Sequence, residues 1–410
     1  RSTLFPYTTL FRSTNLIIIF TGKGGVGKTS IAAAHALISA EEGKKTLLVS
    51  VDMAHNLGDL FACSVGRNVT EIKKNLYALE LDPDYIMHEE FPNVQKAVID
   101  FVGASGANIT LNGHFPLPGF ENLFSLLKIK QLYESNAYDR ILVDCAPTGE
   151  TLSLLKFPEL LSWYIEKFSP VGKIMLRVLN PISKLRYHVK LPDRKALGDL
   201  GQMHLDLINL QELLKNREIC TIRLVCIPEK MVVEETKRNF MYLNLYRYQV
   251  DGVFINRILP EHMDNPFMEK WHSIQKQYIE ELEKVFVHMP LSYIPWYPEE
   301  IRGSQAVEKL CEDLRSLSNL FDIRLQTDNE EYSLCENGYL FTLKLPGVIE
   351  DEVEVYMHNL DMNIRIGNFN RCIPLPNTLQ RSQITSVQLE QGVLKIQFKI
   401  PEFPNTEEAH

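Results

Sequence analysis

The sequence predicts an α/β domain with a mainly parallel, doubly wound sheet and a helical insert, followed by a small all-β sandwich domain. Apolar runs of strand length alternate with helical stretches over residues 14–150 and again after residue 216, the order that builds parallel sheets. Residues 151–216 carry helical patterns and no strand pattern, which predicts the insert. Beyond Phe321, short segments alternate apolar and polar positions between turn residues, as β-sandwiches do.

The predicted elements follow one another at the spacing of strand–helix units. The predicted strands of the first domain are Leu16–Phe20, Thr46–Val51, Leu76–Leu81, Arg140–Asp144, Cys220–Ile227 and Gly252–Ile255, with a short strand ending at Met289. Its predicted helices include Ser30–Ala40, Val232–Tyr248, Phe267–Phe286 and Glu299–Asn319. The second domain has predicted strands at Tyr339–Leu345, Glu352–Met357 and Met362–Ile366. We therefore predict a first domain over 14–321 with an insert at about 151–216, a β domain over 322–402 and a tail over 403–410.

Composition excludes several classes of protein. At 410 residues and 45% hydrophobic content, the chain is long enough for more than one packed domain. A net charge of −9 argues against a nucleic-acid partner, because phosphate contacts need a basic face. Its seven cysteines are scattered without a C-x-x-C pair, which indicates reduced thiols in a cytosol-like compartment. No apolar run approaches the ~20 residues that span a bilayer.

We predict that residues 1–13 are not part of the folded protein. They lack an initiator methionine and the charged and apolar layout of a signal peptide, and they resemble translated adapter sequence. We treat them as a non-native leader and expect a cytoplasmic protein. A transit peptide missing ahead of the sequence would instead indicate the plastid stroma.

A glycine-rich loop lies between the first predicted strand and the first predicted helix. Its residues are Gly22, Lys23, Gly24, Gly25, Val26, Gly27, Lys28 and Thr29, followed by Ser30. In this setting the backbone N–H groups can cradle a nucleotide's phosphates, and the glycines allow φ > 0 and close approach. We predict that Lys28 reaches the β- and γ-phosphates and that the Thr29 hydroxyl contacts Mg²⁺.

Lys23 adds a second cation to this loop. An isolated exposed lysine is usually a solvated charge, but here the loop resembles that of the "deviant" P-loop ATPases that work as dimers. In that group the first lysine crosses to the nucleotide of the partner subunit. It would act as an arginine finger does, by adding positive charge where the transferring phosphoryl group accumulates negative charge.

Two carboxylates follow apolar strands and are candidates for the chemistry. Asp52 ends one strand and could orient the attacking water or accept its proton, although a helix N-cap is an equally good interpretation of its position alone. Asp144 ends another strand and precedes Cys145-Ala146-Pro147-Thr148-Gly149, a turn that could sense the γ-phosphate. We expect Asp144 to hold the water shell of Mg²⁺.

These motifs together resemble the family that contains the arsenite-pump ATPase and the guided-entry ATPases that target tail-anchored membrane proteins. The resemblance runs from about Asn15 to Phe321 and rests on the loop, on Asp52 within an Asp-x-Ala-His-x-Leu-x-Asp motif, and on the segment 144–150. It implies a homodimeric, Mg²⁺-dependent ATPase. The residues it implies are catalytic Asp52, Lys23 and Lys28, metal-binding Thr29 and Asp144, and nucleotide contacts of the ribose and base at Glu229, Asn256 and Pro290.

The chain also departs from the family pattern. Met53 replaces a proline, Cys145 a threonine and Glu150 a histidine of the switch segment. The zinc-binding C-x-x-C that clasps the eukaryotic targeting dimer is absent, so we expect no zinc clasp. A three-thiol arsenite site is unsupported, because no other cysteine is near Cys145 in sequence.

Two regions leave alternatives open. The insert begins with more apolar residues than one narrow stripe needs, so it is either a buried core helix or part of a groove for hydrophobic clients. The C-terminal domain resembles the α-crystallin domain of small heat-shock proteins, at Leu345-Pro346-Gly347-Val348, Ile373-Pro374-Leu375-Pro376 and Gly392-Val393-Leu394-Lys395-Ile396. That domain is either a passive packing unit or a second protein-binding surface.

The function predicted is ATP-driven handling or targeting of hydrophobic or membrane-directed client proteins. The alternative is the catalytic subunit of an anion-efflux pump of the arsenite type. A third hypothesis is a chaperone-like module in which ATP only stabilises the dimer.

Overall fold

The computed structural model describes most of both domains. The described residues are 15–52, 56–92, 120–156, 158, 199–261, 265–317, 319–323, 330–335, 338–358, 361–375, 379 and 382–399. The leader, the tail and most of the predicted insert lie outside these residues.

The first domain is built on an eight-stranded sheet of order β3-β4-β2-β5-β1-β6-β7-β8. Its strands are β1 Leu16–Thr21, β2 Thr46–Ser50, β3 Thr70–Lys73, β4 Leu76–Glu80, β5 Arg140–Asp144, β6 Cys220–Cys226, β7 Val250–Ile258 and β8 Leu291–Pro295. All neighbours are parallel except β3 and β4, which are antiparallel. The central strands are almost wholly buried, as expected of apolar runs covered on both faces. The predicted α/β class with a mainly parallel sheet is confirmed.

Eight helices are described in this domain. They are α1 Lys28–Glu41, α2 Asn56–Phe61, α3 Phe120–Glu134, α4 148–156, α5 Asp199–Lys215, α6 Lys230–Leu245, α7 Pro266–Val285 and α8 Ser304–Arg315, with a shorter helical turn at Pro83–Tyr85. Helix α1 is alanine-rich and buried over most of its surface, because it packs between the sheet and α8. Within the described chain, no helix has both the length and the hydropathy needed to cross a bilayer.

Two predicted elements of this domain were wrong. The strand expected to end at Met289 instead begins at Leu291, after a turn in which the Met289 amide donates to the Phe286 carbonyl. The last helix spans Ser304–Arg315 rather than starting at Glu299, because Gly303 takes a left-handed φ of 81° that ends the preceding loop.

The second domain is a sandwich of two antiparallel sheets, of order β14-β15-β10-β9 and β11-β12-β13. Its strands are β9 Glu330–Cys335, β10 Gly338–Lys344, β11 Val353–His358, β12 Asp361–Ile366, β13 Phe369–Pro374, β14 Gln383–Glu390 and β15 Val393–Lys399. Buried side chains from both sheets, among them Phe341, Ile364 and Phe398, form its core. The predicted all-β class of this domain is confirmed.

Candidate nucleotide site

The glycine-rich loop joins the carboxyl end of β1 to the start of α1, where backbone N–H groups point away from the helix. At two of its glycines, a side chain would collide with neighbouring atoms. A Cβ on Gly22 would lie 2.0 Å from the carbonyl oxygen of Val225 in β6. Gly27 has a left-handed φ of 96°, and a Cβ there would lie 2.4 Å from Asn256 Nδ2. A side chain at Gly22 would therefore require the backbone of β6 to move, and one at Gly27 would displace the Asn256 side chain and take a φ that residues with a Cβ rarely adopt.

The two lysines of the loop have different surroundings. Lys28 is buried, and its Nζ donates to the carbonyl oxygen of Lys23 at 3.1 Å, so the loop itself holds the lysine in place. Lys23 is more exposed, and its Nζ lies 3.8 Å from Glu235 Oε2 in α6. The signature lysine therefore pairs with a carboxylate of its own chain, a contact that no sequence signal indicates.

Thr29 and Asp144 form an oxygen pair below the loop. The Thr29 hydroxyl donates to Asp144 Oδ2 at 2.7 Å. Asp144 Oδ1 is buried and has no hydrogen-bond partner among the described residues. Burial raises the pKa of Asp144 to about 7, against the opposing effects of the Thr29 hydrogen bond and the Lys28 charge. Burial thus disfavours the charged form of this carboxylate, and a divalent cation bound beside it would favour that form.

Asp52 and Asp144 lie at the carboxyl ends of two adjacent strands, β2 and β5, and therefore at the same edge of the sheet. Asp52 follows β2, whose last residue Ser50 pairs in register with Asp144 of β5. The Asp52 backbone amide donates to the Ser50 hydroxyl at 3.2 Å, and the side chain is half-buried. The Asp52 carboxylate is close enough to contribute to raising the pKa of Asp144. Both acids and the loop thus share one edge of the sheet.

Glu229 and Asn256 lie at this edge on the other side of the loop. Glu229 is exposed and takes an extended backbone at the N-cap of α6. Asn256 is buried near the carboxyl end of β7, where its Nδ2 donates to the Val26 carbonyl at 2.8 Å and its Oδ1 accepts from the Arg257 amide at 2.9 Å. Asn256 therefore braces the phosphate loop, a role that the sequence did not predict.

Pro290 does not join this group. It precedes β8, and its carbonyl accepts from the Val253 amide at 3.1 Å, near the amino end of the sheet. Since β7 and β8 are parallel, Pro290 lies at the edge opposite to Asn256. The base contact predicted at Pro290 stays a prediction: Pro290 lies at the amino end of β8, whereas Pro295 lies at its carboxyl end, the edge that carries the phosphate loop.

The segment after Asp144 turns directly into a helix. The amides of Glu150 and Thr151 both donate to the Pro147 carbonyl, so α4 begins at this turn. Thr148 is buried, and its hydroxyl has no partner within the described part of the chain. A Cβ on Gly24 would lie 3.8 Å from Pro147 Cγ, which places the turn against the phosphate loop. We call residues 144–150 the switch loop.

The described residues offer no second metal centre. No group of three or more His, Cys, Asp or Glu side chains among them could hold a metal ion. All seven cysteines are free thiols. Burial raises the thiol pKa of Cys145, Cys226 and Cys311 to about 12, which disfavours the thiolate form that binds soft metals.

The residues fit a nucleotide with a divalent cation. The loop offers backbone donors and Lys28 for phosphates, and Thr29 and Asp144 offer the oxygens that Mg²⁺ prefers. The unpartnered Asp144 Oδ1 is the observation that supports the fit, because a buried carboxylate oxygen without a partner is costly.

Comparison with known proteins identifies ATPases that are similar to this chain. The anion-transporting ATPase family matches residues 15–316, and an HSP20-like domain found in these ATPases matches residues 336–398. A "Putative arsenical pump-driving ATPase" of Prosthecochloris vibrioformis is 35% identical over 88% of this chain and 91% of its own length. "Putative arsenical pump-driving ATPase 1" of Aquifex aeolicus is 30% identical over 93% of this chain and 99% of its length. "ATPase GET3" of Phaeosphaeria nodorum is 30% identical over 71% of this chain and 92% of its length.

Proposed function

Because this chain belongs to the anion-transporting ATPase family and is an ATP-hydrolysing enzyme, we propose that it works as a Mg²⁺-dependent homodimer that handles hydrophobic client proteins. The single observation that carries the proposal is the meeting of the phosphate loop, Asp52 and the switch loop at one edge of the sheet. ATP binding and hydrolysis at this edge can change the position of helix α4, which begins in the switch loop.

The proposed chemistry uses residues that lie at one edge of the sheet. Lys28 and the loop amides would hold the phosphates, and Thr29 and Asp144 would hold Mg²⁺, which would offset negative charge on the phosphates. Asp52 lies beside this group without an intervening strand and orients the attacking water. Thr148 of the switch loop has a buried hydroxyl without a partner among the described residues, and we propose that it senses whether a γ-phosphate is present.

Lys23 is proposed to act on the nucleotide of the partner subunit. Its side chain is the more exposed of the two loop lysines, at 38%, and its present partner Glu235 holds it by a 3.8 Å ion pair that is partly exposed. Such pairs are weak and exchange readily with a stronger anion. A triphosphate presented by a second copy of the chain is such an anion.

Client handling is supported by the family and by the sequence of the insert. Relatives of this chain carry the name ATPase GET3, and the guided-entry resemblance implies hydrophobic clients. Leu154 and Leu155, at the start of the insert, are buried in the core of the ATPase domain. Leu152 is partly buried against the same core, and the apolar residues of the predicted groove beyond Lys156 lie outside the described residues, so the groove stays a prediction.

The test is protection of a hydrophobic helix from aggregation. Purified protein is mixed with a peptide of ~20 apolar residues, and light scattering is followed with ATP, with ADP and without nucleotide. The Asp52→Asn variant is the matched control, since it should bind ATP and barely hydrolyse it. We expect protection to depend on nucleotide state and to persist in Asp52→Asn with ATP. Equal scattering in all nucleotide states would contradict client handling.

An anion-efflux role is the second candidate, because relatives are named arsenical pump-driving ATPases. Arsenite-stimulated ATP turnover would favour it. The raised thiol pKa values of Cys145 and Cys226 and the lack of a three-cysteine cluster among the described residues weigh against a thiol site for arsenite.

We also place the protein in a reducing, cytoplasmic compartment, which seven free cysteines support.

A further inference from the structure

The C-terminal β domain contacts the ATPase domain beside the far end of helix α4. This helix begins at Pro147 in the switch loop, within van der Waals reach of the phosphate loop at Gly24. Its nine residues, 148–156, rise about 14 Å at the usual rise per residue of an α-helix. The helix therefore connects the nucleotide edge to a second location in the molecule.

The last described turn of α4 is held by aromatic side chains that follow α6. The Tyr248 hydroxyl donates to the Leu155 carbonyl at 2.7 Å, and both groups are buried. Lys156 Nζ lies 5.5 Å from the ring centroid of Tyr246 and 5.8 Å from that of Phe369, a residue of β13. The cation at the end of α4 thus faces one ring from each domain, within the range of cation–π attraction.

The same two rings belong to the interface between the domains. Phe369 stacks on Tyr242 of α6 with ring centroids 3.5 Å apart, and the Tyr246 hydroxyl donates to the Asn370 carbonyl at 3.1 Å. The interface therefore includes the rings that face the end of α4.

An ion-pair bridge closes the interface next to these rings. Glu330 of β9 pairs with Arg247 of the ATPase domain at 3.1 Å and with Arg371 of β13 at 2.8 Å. Glu330 and Arg371 are largely shielded from water, with side chains 11% and 8% exposed. Glu330 and Arg371 both belong to the β domain, so this shielded pair holds the carboxylate that the more exposed Arg247 contacts across the interface.

We infer that nucleotide controls how the β domain docks on the ATPase domain. Helix α4 transmits the state of the switch loop to the interface between the domains through Lys156. A γ-phosphate that draws Thr148 towards the loop shifts α4 along its axis and changes the distance from Lys156 to Tyr246 and Phe369. Docking of the β domain then differs between nucleotide states. By linkage, docking also changes nucleotide affinity by the same factor. The inference rests on the ATP site alone and is independent of client handling.

Hydrogen–deuterium exchange of the full chain tests the inference with AMP-PNP, with ADP and without nucleotide. Exchange in residues 22–29 reports nucleotide binding, and exchange in residues 242–248 and 369–371 reports docking. We expect AMP-PNP and ADP to give different exchange rates at the interface. Exchange that responds to nucleotide only in the phosphate loop would overturn the inference while leaving the ATP site intact.

Two variants and one control separate α4 from other effects. Lys156→Met keeps the apolar stem and removes the cation, and Phe369→Leu removes the ring. Each should reduce the difference between nucleotide states and change AMP-PNP affinity by about two- to fivefold, as loss of a surface cation–π contact would. Lys45→Met is the matched control, since Lys45 Nζ lies 5.4 Å and 5.3 Å from two tyrosine rings away from the interface. An equal effect of Lys45→Met, or none from the first two variants, would refute coupling through α4.

Discussion

Replacing Asn256 by alanine should destabilise the protein before any nucleotide is present. The side chain donates to the Val26 carbonyl at 2.8 Å and accepts from the Arg257 amide at 2.9 Å, and it is only 6% exposed. Its loss leaves the buried Val26 carbonyl without this partner and removes the part-buried hydrogen bond to the Arg257 amide. Arg257 also sits at a left-handed φ of 58°, a strained conformation that the second hydrogen bond supports.

The expected cost follows from these contacts. A buried polar group left without a partner costs about 1–3 kcal/mol, so the free energy of unfolding should fall by about that amount in Asn256→Ala. The phosphate loop also loses the Asn256 hydrogen bond that braces it. Nucleotide binding must then order the loop, which costs part of the same ~1–3 kcal/mol. We expect nucleotide affinity to fall by about 5- to 100-fold, since each 1.4 kcal/mol is a factor of ten.

Urea unfolding without nucleotide and calorimetric titration with AMP-PNP measure the two quantities. Asn244→Ala is a matched control, because the Asn244 amide also makes a buried hydrogen bond, to the Phe240 carbonyl at 2.9 Å within α6. It should lower stability and leave nucleotide affinity within about twofold, because the phosphate loop keeps its brace. If Asn256→Ala matched the wild type in stability and lost only nucleotide affinity, Asn256 would be a base contact and the brace would be refuted.

Three further predictions concern other contacts. Burial lowers the pKa of His35 well below its ordinary 6.5, so near that pH only the unfolded chain binds a proton at this imidazole. The free energy of unfolding should therefore fall as the pH drops below about 6.5, by at most ~1.4 kcal/mol per pH unit. His35→Phe should flatten that slope in urea unfolding at pH 5 to 7, and an unchanged slope would contradict it. Glu235→Gln should release Lys23 and raise ATP turnover by at most about fivefold, as expected of a partly exposed pair, whereas slower turnover would refute the restraint. Glu330→Gln should leave the shielded Arg371 without a full charge partner and speed proteolysis between the domains, and an unchanged cleavage rate would contradict the bridge.

Much of the ATPase sheet could be predicted because its central strands are continuous apolar runs. The predicted Arg140–Asp144 matches β5, and Leu16–Phe20 is one residue shorter than β1. The four residues of β3, Thr70–Lys73, alternate between half-buried and exposed positions and carry no such signal. The start of β8 was misplaced because Leu291–Pro295 is half-exposed at the sheet edge.

The site was predictable where a motif lies next to its own strand. Thr29, Asp52 and Asp144 each follow or adjoin a buried strand, so parallel topology alone brings them to one edge. Contacts between distant segments were not predictable. The pairing of Lys23 with Glu235 depends on the rotation of α6 about its axis, which no local pattern specifies.

The bracing role of Asn256 and the contact of Lys156 with the β domain have the same origin. Each joins segments more than 200 residues apart in sequence, and both depend on how whole elements pack. Sequence periodicity defines which face of an element is buried, but it does not define which neighbour covers that face.

Mixing two inactive variants tests the shared site most directly. Lys23→Ala lacks the crossing cation, and Asp52→Asn lacks the carboxylate that orients water. If Lys23 acts on the partner subunit, a mixed dimer contains one intact site, and an equimolar mixture should regain about one quarter of wild-type ATP turnover after subunit exchange. Turnover equal to the mean of the two separate variants would contradict a site shared between subunits.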